Sequence, residues 1–142
     1  MDNREIAQTL KNLVLLDLEA TREYDWAIDH ISDEGVREQL QGFKEDHIEH
    51  ADNISMYIRQ LGENPPDSRE LNESRLHEPS FQPGFSSDEI LKILMRDEKL
   101  IAKRYEEALE NVFVPEIVTD LENDFEDDQM HVESIQGILS KH

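Results

Sequence analysis

The feature that most constrains this chain is an internal repetition. Asp17, Tyr24, His47 and His50 recur 81 residues later as Glu98, Tyr105, Asp128 and His131. Carboxylate to tyrosine is seven residues in both halves, and tyrosine to the last histidine is 26 in both. A repeat of this length carrying one polar set implies a duplicated supersecondary unit. The unit must be long enough to bring residues some 30 positions apart onto one level, which a helical hairpin does.

The apolar spacing agrees. Ile6, Leu10, Leu13, Val14, Tyr24, Ile28 and Ile31 recur at three- and four-residue intervals and predict a helix over about 3–31. Ser32-Asp33-Glu34-Gly35 interrupts it with turn formers. Val36, Leu40, Phe43, Ile54, Tyr57, Ile58 and Leu61 predict a second helix over about 34–61, stopped by Gly62 as a C-cap and by Pro65-Pro66. Ser86 with Glu89 forms a capping-box pattern that opens a third over about 87–112. Pro115 starts a fourth over about 115–140, since proline is tolerated in a first helical turn. The 62–86 segment holds four of the five prolines, and its Arg69 to Leu76 portion suggests a short helix. Extended, it reaches about 80–90 Å, against about 39 Å for a 26-residue helix, so it can run the length of a bundle. The expected fold is all-α: residues 1–142 as one antiparallel four-helix bundle of two hairpins joined by a long crossover.

Composition removes several functions. With 34 Asp plus Glu against 14 Lys plus Arg, the formal charge is −20. Such a chain repels nucleic acid and anionic membranes. With no cysteine, disulfides, thiolate metal sites and cysteine nucleophiles are excluded. Neither a signal peptide nor an apolar run of spanning length is visible, so the expected location is cytoplasmic.

Each apolar stripe is broken near its middle by an ionisable residue that belongs to the buried face. These are Asp17, then His47 and His50, then Glu98, then Asp128 and His131. Each set lies at a similar distance from its hairpin turn, so antiparallel packing places all six on one level. The i, i+3 spacing puts His47 with His50, and Asp128 with His131, on one helix face. Burying unpaired carboxylates costs several kcal/mol each, and a metal ion is the most economical compensation. Oxygen and imidazole donors together suit Fe, Mn, Zn or Ni.

At these positions the sequence resembles the ferritin-like, or rubrerythrin-like, di-iron carboxylate superfamily. There the first and third helices each give one carboxylate, and the second and fourth each give a Glu-x-x-His pair. Asp17 and Glu98 match the single carboxylates, while His47-Ile-Glu-His50 and Asp128-Gln-Met-His131 match the pairs. The resemblance implies iron as cofactor, as one or two ions, with manganese or zinc as substitutes. It departs at His47, where a bridging carboxylate is usual, and at Asp17 and Asp128, each one methylene short. Asp46 and Asp127 precede the two terminal histidines by four residues and are either alternative ligands or partners that fix the imidazole tautomer. Glu19 is an alternative to Asp17.

The other polar residues receive plainer readings. Tyr24 and Tyr105 are expected to be packing residues with one hydrogen bond each. Trp26 is a surface or interface residue, Glu45 and Glu49 are solvated, and His30, His77 and His142 are incidental. The acidic run Asp120 to Asp128 is a wet face apart from Asp128.

Two functions follow as expectations. One is a metal-dependent redox protein that oxidises ferrous iron with dioxygen or peroxide, working as a homodimer or larger homo-oligomer, in which subunits could share a site. The other is a non-enzymatic, stress-associated or structural bundle with a vestigial or structural metal.

Overall fold

The computed structural model of the protein describes residues 2–73 and 81–141. Helix α1 spans Asn3–His30 and α2 spans Glu34–Gln60. A short α3 spans Ser68–Glu73, and α4 (Ser87–Leu109) and α5 (Pro115–Ser140) complete the order. No strand occurs among the described residues. The short helix expected from Arg69 to Leu76 is α3 as far as Glu73; the remainder of that stretch, His77 and His142 lie outside the described residues.

Local chemistry sets the helix ends. The Asp2 side chain accepts from the Glu5 amide at 2.9 Å, and Asp33 accepts from Val36 at 3.1 Å, each capping a free amide of a first turn. The reciprocal Ser86–Glu89 capping box is formed. At the end of α2, Gly62 adopts φ +84°, where a side chain would be strained. Its amide donates to Arg59 at 3.0 Å while the Glu63 amide donates to Ile58 at 3.1 Å, a Schellman ending. Helix α4 stops at Leu109, three residues before the expected 112, yet Val112 remains fully buried just beyond it.

The packing is that of two hairpins, α1 on α2 and α4 on α5, meeting along α1–α4 and α2–α5. The described parts of the crossover lie alongside α1. Arg22 donates to Asn72 at 2.8 Å, and Phe81 stacks on Trp26 with ring centroids 4.5 Å apart. The connector therefore rises past one hairpin and lets α4 run antiparallel to α1. Trp26, half-buried between Phe81 and His30, packs within the chain itself.

Two apolar layers sandwich the middle of the bundle. Ile31, Leu40, Leu91 and Ile135 close one end, and Leu10, Leu13, Ile54, Ile58, Val112, Ile117 and Leu121 close the other. Between them lies a slab of ionisable side chains sealed from solvent. No described helix is long and apolar enough to cross a membrane.

Candidate metal centre

All six polar residues singled out in the sequence fall in this slab, and each is 2% exposed or less. Asp17 comes from α1, His47 and His50 from α2, Glu98 from α4, and Asp128 and His131 from α5.

His47 lies between the two single carboxylates. Its Nδ1 is 2.7 Å from Asp17 Oδ1 and its Nε2 is 2.5 Å from Glu98 Oε1. Burial works against a charged ring here, but the Glu98 charge and the contacts to Asp17 and Glu98 outweigh it and hold the imidazole well above its usual pKa. The carboxylates respond in the opposite sense. Burial raises Asp17 and Glu98, yet the histidines beside them bring both below the ordinary carboxylate range.

The tyrosines are crossed. Tyr24 of the first hairpin donates to Glu98 Oε1 at 2.6 Å, and Tyr105 of the second donates to Asp17 Oδ2 at 2.5 Å. Each makes the single hydrogen bond expected of it. Burial, together with the partner carboxylate, raises both phenols well above their ordinary pKa.

The outer nitrogens of the terminal histidines are crossed too. Asp46 on α2 contacts His131 Nε2 at 2.8 Å, and Asp127 on α5 contacts His50 Nε2 at 2.9 Å. Both aspartates are half-exposed. A carboxylate on the outer nitrogen holds its proton there and leaves the inner Nδ1 as a lone-pair donor, the usual way a protein orients a metal-binding imidazole. Of the two roles open to Asp46 and Asp127, this geometry matches the orienting one. Glu19 is only half-buried, and Asp17 is the carboxylate that occupies the slab.

Asp128 is the anomaly. It is fully buried, and neither carboxylate oxygen has a hydrogen-bond partner among the described residues. Three imidazole nitrogens surround its Oδ1 at a distance: His131 Nδ1 at 3.8 Å, His47 Nε2 at 3.9 Å and His50 Nδ1 at 4.0 Å. Burial, then the Glu98 charge, pushes its pKa well above the carboxylate range. These separations are too long for hydrogen bonds. They are within the span of two donors sharing one ion at about 2.0–2.2 Å each. His47, Glu98, Asp128 and His131 each offer one atom within 4.8 Å of the others, as do Asp17, His47 and His50. The donor set thus fits a divalent cation, because a buried carboxylate without a hydrogen-bond partner faces imidazole nitrogens.

The acidic run on α5 needs one correction. Asp124, read as part of a wet face, is 6% exposed, and its Oδ1 lies 3.4 Å from His50 Nε2. Burial raises its pKa to about 7. It precedes Asp128 by one helical turn, so the spacing that marked Asp128 as inward also marks Asp124. Its counterpart 81 residues earlier is Phe43, whose ring packs on His131 at 4.4 Å. Asp97 and Glu23 are also buried and carried no signal in the apolar stripes.

A search of curated proteins finds no match. Solved structures do match across the chain. A protein described as a ferritin-like, diiron-carboxylate protein from Bacillus anthracis str. Ames superposes with TM-score 0.80 at 21% identity, covering 98% of each chain. The bacterioferritin-related protein of Bacteroides fragilis, described as a dodecameric thioferritin, superposes with TM-score 0.89 at 18% identity, covering 99% of this chain and 88% of its own. These likenesses establish a ferritin-like fold. The model of one family matches residues 5–111, which include Asp17, His47, His50 and Glu98 and end before Asp128 and His131. The chain is a ferritin-like member of the family described as a domain of unknown function, DUF2383.

Proposed function

We propose that this protein binds iron between its four helices and oxidises it from the ferrous to the ferric state with dioxygen or peroxide. The observation that carries the reading is Asp128, a buried carboxylate with no hydrogen-bond partner, ringed by three imidazole nitrogens. A carboxylate left in that state costs several kcal/mol, and a cation bound among these donors removes the cost.

The proposed ligands are drawn from Asp17, His47, His50, Glu98, Asp128 and His131. Iron supplies one-electron redox chemistry; manganese or zinc would fit similar donors without the same reactivity. The chain's own residues supply the rest. Anionic oxygens favour the more highly charged ferric state. Asp46 and Asp127 fix His131 and His50 with Nδ1 turned inward. Tyr24 and Tyr105 hold Glu98 and Asp17 in place, and the apolar layers on either side exclude bulk water. The formal charge of −20 concentrates cations around the molecule. Assembly as a homodimer or larger homo-oligomer and a cytoplasmic setting belong to the same proposal, the former supported by the dodecameric description of the Bacteroides fragilis protein.

One observation favours a second reading. Asp17, His47 and Glu98 already satisfy one another by direct contact, as a non-enzymatic bundle with a structural or vestigial site would require. Anaerobic ferrous loading followed by admission of oxygen separates the two. Tightly bound iron with a near-ultraviolet ferric band that grows only with the oxidant supports the redox reading. Bound iron that stays ferrous, or no bound iron, supports the second.

A further inference from the structure

The two halves of the slab do not offer a metal the same free atoms. In the α1–α2 half both oxygens of Asp17 are engaged, and of the ligand atoms there only His50 Nδ1 has no hydrogen-bond partner among the described residues. Oδ1 meets His47 at 2.7 Å and Oδ2 accepts the Tyr105 hydroxyl at 2.5 Å. In the α4–α5 half, both oxygens of Asp128 are free, and Glu98 Oε2 has only a long 3.3 Å contact to His131 Nδ1. His131 is meanwhile anchored through Nε2 by Asp46 at 2.8 Å.

His47 makes the difference. Both of its ring nitrogens lie within hydrogen-bond distance of carboxylate oxygens, and one of those oxygens already accepts the Tyr24 hydroxyl. The ring bridges the two single carboxylates and fills the space between them. It stands where a second cation would need the same two carboxylates.

We propose that the centre takes a single divalent cation in the α4–α5 half, held by Glu98 Oε2, Asp128 and His131 Nδ1, with His47 as a built-in strut between Asp17 and Glu98 in the second metal's place. This rests on the metal-binding reading above and refines it from a pair of ions to one. A second divalent cation would have to displace His47 from both of its carboxylate partners. A glutamate at position 47 would instead give four carboxylates, which balance two divalent cations.

The test is cobalt(II) stoichiometry under anaerobic conditions, by elemental analysis after desalting, with helicity checked by circular dichroism. The wild-type chain is expected to hold one cobalt, His47→Glu two, His131→Ala none, and His50→Ala one. Two cobalt ions in the wild type would overturn the single-ion proposal while leaving metal binding intact. One cobalt that survives His131→Ala but not His50→Ala would overturn its placement. No cobalt in a folded wild type would remove both this proposal and the reading it rests on. Should His47→Glu fail to fold, the wild-type count and the two alanine variants still decide the matter.

Discussion

The α1–α2 hairpin and the α4–α5 hairpin carry the same polar scaffold and differ in its centre. Tyr24 and Tyr105, Asp46 and Asp127, and His50 and His131 are equivalent, and each contacts the opposite hairpin. The crossing ties the two halves together by charge-assisted hydrogen bonds. At the middle of the slab they differ at His47 against Asp128, Phe43 against Asp124, and Asp17 against Glu98. One half therefore has an imidazole where the other has a carboxylate. In the first, the carboxylate Asp17 has both oxygens engaged, and in the second, Asp128 is left with buried oxygens that have no hydrogen-bond partner. Duplication supplies a frame, and a few substitutions at its centre make the two halves unequal.

The sharpest way to break this comparison is to mutate the equivalent pair at its centre. Removing one member of a satisfied buried ion pair strands the other, so His47→Ala is expected to lower metal-free stability by about 3–5 kcal/mol. Asp128→Asn keeps the shape of a buried carboxyl group that already lacks a hydrogen-bond partner, and is expected to change metal-free stability by less than about 1 kcal/mol while abolishing metal binding. Urea denaturation in the presence of a chelator reads both, and equal losses from the two variants would dissolve the distinction.

The orienting aspartates come next. Loss of a carboxylate behind a ligating histidine typically costs about 10–100-fold in metal affinity. Asp46→Asn, which frees His131, should show that loss in a cobalt titration. Asp127→Asn, which frees His50, should change affinity only slightly if the α4–α5 half holds the ion. The tyrosines test the part of the frame that is symmetric. Tyr24→Phe and Tyr105→Phe each remove one hydrogen bond to a carboxylate and should each cost about 1.5 kcal/mol, with unequal costs marking a hidden asymmetry.

The gentlest probe is pH, where one group changes stability by at most about 1.4 kcal/mol per unit. His50 is raised to about 10 in the folded chain. Its contribution is fully present below its unfolded value of about 6.5 and is lost as pH rises toward 10. Asp124 is raised to about 7. Its ionisation destabilises the fold progressively from about pH 4 up to 7. Asp17 and Glu98 are lowered, so their contribution is present at neutral pH and lost in acid. The metal-free protein should therefore be most stable in mild acid and weaken steadily toward alkaline pH, and Asp124→Asn should flatten the segment between 4 and 7.

Much of this was legible in the sequence. The four long helices, the Ser86 capping box, the Gly62 ending and the crossover all come from spacing and local chemistry, which act within a few residues. The six central residues were visible because each interrupts an apolar stripe at the same height. The partner assignments were not visible. That Tyr24 reaches Glu98 and not its own Asp17, or that Asp46 serves His131, depends on how two hairpins dock, and no local pattern encodes this. Asp124 was hidden by its neighbours, since an acidic run on α5 reads as solvated until the packing shows which carboxylate turns inward. Trp26 was open between surface and interface because its cover, Phe81, arrives through the crossover.

The most direct test of the central claim, that the buried charged slab is a metal centre organised on Asp128, is the melting temperature with and without metal. It would be measured anaerobically for the wild-type chain and for Asp128→Asn, first in chelator and then in ferrous iron at about 100 times the dissociation constant. Binding of that strength stabilises the folded state by about 2.7 kcal/mol, which for a chain of 142 residues corresponds to a rise of roughly 10 °C. The expected result is that rise in the wild type and none in the variant. A wild-type melting temperature indifferent to metal, or a variant that rises equally, would contradict it.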